Sequence, residues 1–258
     1  MFQEERFKLI CELVKSSPSV KVTELSTLLN ASVATVRRDL EELQQQGLIM
    51  RTHGGAMLPY SVGHEKTIEQ LQTRHAKEKV SIARFAATYI RPNDTIFLDE
   101  STTVQALARE LVYSPVAGLT VLTTSLSVIE LLSSLPSVQV ILSGGSVNYE
   151  QSSVEGYAST RFIRSFRMDK CFIGVNGVDA GFGLSVPRLS EAELKTAVIE
   201  SSRASYTLAD GSKFGKSYFA QLPTTDFLIT DTRLLDFDYD LLEQKMEVFF
   251  ADERSERE

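Results

Sequence analysis

Residues 32–56 read SVATVRRDLEELQQQGLIMRTHGGA, and their periodicity decides the first part of the fold. Val33, Val36, Leu40 and Leu43 recur at helical spacing, which predicts an amphipathic helix over 33–46 with that stripe inward. Ser32 stands where an N-cap belongs, and Gly47 supplies the C′ stop. LIMRTHGGAML (48–58) then gives two short extended runs around Gly54-Gly55, a hairpin turn signal. Upstream, Phe7, Ile10, Cys11 and Val14 mark a helix over 4–15 that Pro18 ends. Val20 and Val22 flank a short extended stretch. Thr23 caps a second helix with Leu25, Leu28 and Leu29 inside, and Asn30-Ala31 turn the chain into Ser32. Three helices and a small hairpin describe a winged helix-turn-helix, although the same periodicity fits a three-helix cap with a β-ribbon.

On the helical wheel Arg38 lies opposite the stripe, with Ala34 and Thr35 beside it and Arg37 on the flank. Small residues permit close approach to a major groove, Arg donors suit guanine edges or phosphates, and a helix N-terminus favours phosphate. Glu41 and Glu42 follow one turn later, as they would on a merely solvated face. Arg51 and His53 beside Gly54 and Gly55 could reach backbone phosphate or a minor groove. Net charge is −7, from 27 Lys+Arg against 34 Asp+Glu. Residues 1–58 are neutral, so that excess falls on 59–258, and no acid lies between Leu25 and Arg38. Any nucleic-acid surface must therefore be local, made by folding these cations onto one face.

The 258 residues suit one or two domains, and 43% hydrophobic with 24% charged residues excludes a disordered chain, a collagen-like chain and a disulfide scaffold. No stretch approaches the ~18 apolar residues of a membrane span, and MFQEERFKLI lacks a signal-peptide core. The expectation is a cytoplasmic protein, without a membrane partner, holding Cys11 and Cys171 as reduced thiols. His53, His64 and His75 have no metal-ligand spacing, so no metal and no other cofactor is expected.

Residues 59–76 (PYSVGHEKTIEQLQTRHA) are polar with weak periodicity and read as a partly helical linker. From residue 77 helices alternate with short apolar runs: helix 77–90, strand 95–99, helix 102–112, strand 119–125, helix 126–134, strand 138–144, helix 154–166, strand 170–175, helix 190–202, strand 206–210, strand 227–231, a short helix near 239–245 and strand 246–252. Such runs mark a sheet covered on both faces. The expected architecture is α/β: an N-terminal winged helix-turn-helix (1–58) joined through the linker to a larger doubly wound, mostly parallel α/β domain (77–258). Ligands of such a sheet sit at the C-terminal ends of its strands.

Those ends are polar or Gly-rich. LDESTT (98–103) puts Asp99, Ser101, Thr102 and Thr103 between a strand and a helix, where hydroxyls and free N–H groups make an anion cradle, or where a hydroxyl merely caps the helix. LTTSL (122–126) and LSGG (142–145) add two more ends, the latter with Gly144 and Gly145. GVNGVDAGFG (174–183) reads as a Gly/Asp loop. LADGSKFG (208–215) offers Asp210 and Lys213, the latter suited to a phosphate or carboxylate.

Arg37-Arg38-Asp39-Leu40 followed at this separation by His53-Gly54-Gly55-Ala56 resembles the signature of the DeoR family of bacterial transcriptional regulators, and the likeness extends over nearly the whole chain. It implies a DNA-binding regulator, a repressor of a carbohydrate-metabolism operon, controlled by a phosphorylated sugar or related metabolite. Its partners would be double-stranded operator DNA and that small effector, and its form a homodimer or homotetramer. The DNA-binding residues implied are Ser32, Thr35, Arg37, Arg38, Arg51, His53, Gly54 and Gly55. The second domain of the family is similar to ribose-5-phosphate isomerase and related sugar-phosphate isomerases. That likeness maps effector binding onto Asp99, Ser101, Thr102, Thr103, Thr124, Ser125, Gly144, Gly145, Asp179, Lys195, Asp210 and Lys213.

Two loops depart from the family pattern. Its first loop reads Asp-x-Gly-Thr-Thr with a small x, where this chain has Glu100 and Ser101; its Thr-Asn-Ser is Thr123-Thr124-Ser125 here. The rival reading is a sugar-phosphate isomerase-like enzyme with an appended DNA-binding domain. Isomerisation needs a positioned carboxylate, which the isomerase pattern supplies as a Glu directly before the Lys. Leu194 precedes Lys195, and Glu193 would point elsewhere on a helix, so no catalytic residue is assigned and a non-enzyme is expected. A third reading, an α/β domain that only dimerises, predicts no response to any sugar phosphate.

Overall fold

A computed structural model describes residues 3–16, 20–45, 49–52, 54–57, 73–235 and 237–251. The chain divides into two compact units, Met1–Glu65 and Lys66–Glu258. The expected linker falls largely on residues 58–72, which lie outside the described residues, as do Pro18, Gly47 and His53.

In the first unit α1 (Gln3–Ser16), α2 (Val22–Leu28) and α3 (Val33–Gln45) enclose Ile10, Val14, Leu25, Leu29, Val36, Leu40 and Leu43. Three short strands, β1 (Val20–Lys21), β2 (Met50–Thr52) and β3 (Gly55–Met57), complete it. β3 pairs antiparallel with both β2 and β1, so the expected hairpin is part of a three-stranded sheet. Gly55 makes that sheet possible, because a Cβ there would sit 2.1 Å from the Val20 carbonyl oxygen.

Several local expectations need correction. Thr23 does not cap α2. The helix begins at Val22, and the Lys21 N–H donates to Glu24 Oε2 at 3.3 Å. Leu28 is 63% exposed and Val33 39% exposed, so neither belongs to the core. Asn30 takes the turn conformation expected of it, with φ at 47°. Ser32 caps α3 by accepting from the Thr35 N–H at 3.1 Å.

The second unit is built on a seven-stranded parallel sheet: β4 (Thr95–Leu98), β5 (Thr120–Thr123), β6 (Gln139–Leu142), β9 (Met168–Gly174), β12 (Ser202–Leu208), β14 (Phe227–Thr230) and β15 (Glu247–Phe250). Their order is β15-β14-β12-β9-β4-β5-β6, and each neighbouring pair is parallel. From β4 the chain winds outward through β5 and β6. From β9 it winds the other way, so the switch point lies between β4 and β9. The helices are α4 (Ala76–Ala87), α5 (Thr102–Tyr113), α6 (Leu126–Leu132), α7 (Tyr157–Ile163), α8 (Leu189–Glu200) and α9 (Tyr239–Glu243). Alternate residues of β4 enter different cores, Phe97 one and Ile96 and Leu98 the other, as a sheet covered on both faces requires.

The expected helix over 154–166 is in fact β8 (Ser153–Glu155) followed by the shorter α7, with β8 paired to β7 (Ser146–Asn148). The expected Gly/Asp loop is a hairpin, β10 (Gly177–Asp179) and β11 (Gly183–Val186), extended by β13 (Ala220–Gln221). Strands of two to four residues carry too little alternation to be read without their partners. Among the described residues no helix is long and apolar enough to cross a membrane.

Candidate functional site

Two surfaces collect the residues singled out above, one in each unit. In α3, Val36, Leu40 and Leu43 are buried, while Ala34, Arg37 and Arg38 are exposed and Thr35 is half-buried. Asp39 is buried and accepts two bonds from Arg6, Nε to Oδ2 at 2.6 Å and Nη2 to Oδ1 at 2.9 Å. The acid within Arg37-Arg38-Asp39-Leu40 is thereby turned inward as a brace between α1 and α3, leaving both arginines outward. Ser32 is exposed but occupied with its cap and with the Thr35 hydroxyl at 2.8 Å. Gly54 is exposed, whereas Gly55 is buried against β1. The placement of the Arg51 side chain and of His53 lies outside the described residues.

In the second unit the switch point is filled by an ion pair. Asp99, directly after β4, is buried; its Oδ1 accepts from the Ser101 N–H at 2.9 Å, and its Oδ2 from the Gly174 N–H at 2.6 Å and Lys195 Nζ at 2.7 Å. Lys195, from α8, also donates to the Gly174 carbonyl at 2.8 Å and meets Glu191 Oε1 at 3.2 Å. Burial alone would lower the Lys195 pKa, but Asp99, Glu100 and Glu191 outweigh it and hold the ammonium above the usual lysine range. Gly174 allows this close approach, since a Cβ there would lie 2.3 Å from Ser101 Oγ.

Glu100 turns into the same cluster. Its Oε2 accepts from Thr124 Oγ1 at 3.3 Å, and its Oε1 lies 3.7 Å from Lys195 Nζ. Burial pushes its carboxyl up to about 7, against the pull of Lys195. Beyond Glu191 the charges continue through Arg188 (3.5 Å) to Glu155 (3.3 Å) at the end of β8.

The hydroxyls flank this cluster. Ser101 caps α5 through the Val104 N–H at 3.3 Å, and Ser125 caps α6 through the Val128 N–H at 3.2 Å. The cap reading of the first loop holds at Ser101, and Thr103, Thr124 and Ser125 are buried. Thr102 is half-buried and lines a cleft of about 460 Å³ between α4 and α5 together with Lys79, Arg84 and Arg109. Lys79 is buried, donates to the Arg74 carbonyl at 2.7 Å and lies within the electrostatic reach of Asp210 and Lys213. Burial lowers its pKa; Asp210 opposes the fall and Lys213 adds to it. Asp210 caps the turn Gly211–Lys213 through the Ser212 N–H at 3.0 Å.

Two expected groups serve local structure. Asp179 closes its own hairpin, accepting from the Gly181 and Phe182 N–H groups at 3.0 and 2.7 Å. Gly145, with φ at 147°, packs where a Cβ would meet Ser159 Oγ, and the Gly144 carbonyl accepts from that hydroxyl. Lys79, Glu191, Arg188 and Glu155 were not anticipated. Only Glu191 left a readable signal, its i,i+4 spacing to Lys195 on one helix. Among the described residues no group of His, Cys, Asp or Glu is arranged to hold a metal ion.

Profiles of two families match this chain: a DeoR-like helix-turn-helix domain over residues 6–62 and a DeoR C-terminal sensor domain over residues 74–232. The chain is similar to the HTH-type transcriptional regulator GolR of Listeria innocua, 35% identical over 237 residues, covering 91% of this chain and 92% of that protein. It is also similar to the glycerol-3-phosphate regulon repressor of Escherichia coli, 36% identical over 217 residues, covering 84% and 85%. The solved structure of ribose 5-phosphate isomerase A from Methanocaldococcus jannaschii aligns at 15% identity and a TM-score of 0.38 over 53% of each chain, a likeness too slight to carry an argument. The chain belongs to the DeoR family of transcriptional regulators.

Proposed function

We propose that this regulator is a repressor whose affinity for a double-stranded operator is set by a phosphorylated sugar or a related polyol phosphate. One observation supports the reading: a single chain joins the outward arginine face of α3 to a doubly wound sheet whose switch point holds Lys195 among hydroxyls, with Thr102 and Lys79 lining a cleft at the start of α5. Residues 1–58 form the DNA-binding domain, 59–76 the linker and 77–258 the sensor. Arg37 and Arg38, with Thr35, Ser32, Arg51, His53 and Gly54, face the DNA; Gly55 acts through the sheet it permits. In the sensor, Thr102, Lys79 and Lys213 hold the phosphate, while Asp99, Lys195, Ser101, Thr103, Ser125 and Asp210 fix the loops around it.

The name of the Escherichia coli relative supports a phosphorylated three-carbon polyol as one member of the effector class. The chain works in the cytoplasm as a homodimer or homotetramer, because helix-turn-helix readers pair on two half-sites. It is not an enzyme: the carboxylates near Lys195 are engaged in its ion-pair cluster, and the relatives named above are regulators. The test is a thermal-shift screen of the full chain against phosphorylated sugars and polyols, followed by calorimetry of the best hit with Thr102→Ala and Lys213→Ala. Undiminished binding by both variants would place the phosphate elsewhere.

A further inference from the structure

The cleft between α4 and α5 has two ends. Thr102, Ala106, Arg109 and Tyr113 line it from α5 at steps of four, three and four residues, which puts them on one face of the helix. Lys79, Val80 and Arg84 line it from α4. Thr102 follows β4 and Asp210 follows β12, so both stand at the carboxyl edge of the parallel sheet. Lys79, within the electrostatic reach of Asp210, belongs to that end. Arg109 stands seven residues further along α5 than Thr102, about 10 Å at the helical rise. Beside it Glu110 Oε2 lies 3.7 Å from Arg84 Nε, which places Arg84 at the same far end. Between the ends lie Val80 and Ala106, which offer no polar side-chain atom.

The far end holds one cation more than its own acid can pair. Glu110 is the one carboxylate among the described residues that line the cleft, and Arg84 takes it. Arg109 is half-buried, and among the described residues its guanidinium has no hydrogen-bond or ion-pair partner. A guanidinium carries five N–H donors in a planar fork that fits a carboxylate or a phosphate. Partial burial without an acceptor is unfavourable, and an anion in the cleft would supply the acceptor. The volume, about 460 Å³, falls in the range of small-molecule sites, ~300–1,000 Å³.

We infer that Arg109 anchors a second anion subsite in this cleft, so that the effector carries, besides the phosphate held at Lys79 and Thr102, a second phosphate or a carboxylate about two helical turns away. This rests on the reading of the second domain as a sensor of phosphorylated metabolites, with the phosphate at Thr102 and Lys79. It narrows the effector to bisphosphates of sugars and polyols and to phosphorylated sugar acids. The carbon chain between the two anions would lie over Val80 and Ala106.

Calorimetry on the full chain tests this by comparing the tightest monophosphate of the screen with its counterpart bearing a second anion at the other end, as fructose 6-phosphate with fructose 1,6-bisphosphate or glucose 6-phosphate with 6-phosphogluconate. The parent chain should bind the doubly anionic compound about tenfold more tightly or better, the size of a charge-assisted hydrogen bond. Arg109→Gln should shrink that ratio to roughly threefold or less while leaving the monophosphate affinity within about twofold. Its melting temperature should match the parent's, because the substitution breaks no contact within the chain. The inference is overturned if the parent chain binds both compounds equally or prefers the monophosphate, a measurement that needs no variant, or if Arg109→Gln keeps the parent ratio. In those cases the sensor reading stands, since a phosphorylated compound still binds. If none binds the parent chain, the sensor reading itself fails and takes this inference with it.

Discussion

The Lys195 ammonium and the Asp99 carboxylate, ninety-six positions apart in the chain, meet at 2.7 Å between the ends of β4 and β9. Both are buried, and together they tie α8 to the point where the sheet reverses its winding. Removing one partner of a buried pair leaves the other charge uncompensated, at a cost of roughly 3–5 kcal/mol.

Lys195→Met should therefore destabilise the second unit by about that amount. It strands Asp99 and Glu191 without their shared cation. Urea denaturation followed by circular dichroism reads the effect. A midpoint equal to that of the parent chain would mean that the pair does not hold the switch point together.

Glu100 gives a pH dependence of definite sign. Its folded carboxyl titrates at about 7, above the ordinary value of 4.5. The folded chain thus keeps a proton that the unfolded chain has released, and this contribution to stability is full below the unfolded value and lost as pH rises toward 7. Glu100→Gln removes the titration while leaving Lys195 its other carboxylates. The variant should gain stability over the parent on the order of 2 kcal/mol at pH 8 and little at pH 4.5. Melting temperatures of both proteins across that range check it, and a parallel pair of curves would contradict it.

On α3, reading and bracing separate by one residue. Arg38 is exposed, and Asp39 is held by Arg6. Arg38→Ala should lower operator affinity by about 1–3 kcal/mol at particular base pairs without changing the melting temperature. Asp39→Ala should lower the melting temperature, because Arg6 loses its carboxylate. Arg109→Ala, in the α4–α5 cleft, should leave DNA affinity unchanged. Gel-shift titrations on the operator, repeated at two salt concentrations, separate these cases.

Much of this architecture was legible in the residues themselves. Long apolar stripes, such as Val36, Leu40 and Leu43, fixed the helices, and short apolar runs such as TIFL gave the buried strands. Ser101 announced a helix start that the structure contains. The β7–β8 and β10–β11 hairpins were not legible, because each strand is three or four residues long and exists through its partner. Of the candidate site, Asp99, Thr102 and Lys213 could be singled out along the chain, and Lys195 through the family resemblance. What could not be picked out is which of them face one another. Lys79 looks like an ordinary helix cation until folding brings it within electrostatic reach of Asp210 and Lys213, and Asp179 resembles a ligand until its turn takes up one of its oxygens.

The function proposed above makes one chain couple operator binding to a phosphorylated metabolite. The most direct measurement is operator affinity by fluorescence anisotropy, with and without the tightest-binding phosphorylated compound. A change of roughly 5–150-fold is expected, with the effector's own affinity altered by the same factor when operator is present. An operator affinity that stays constant at saturating effector would contradict it.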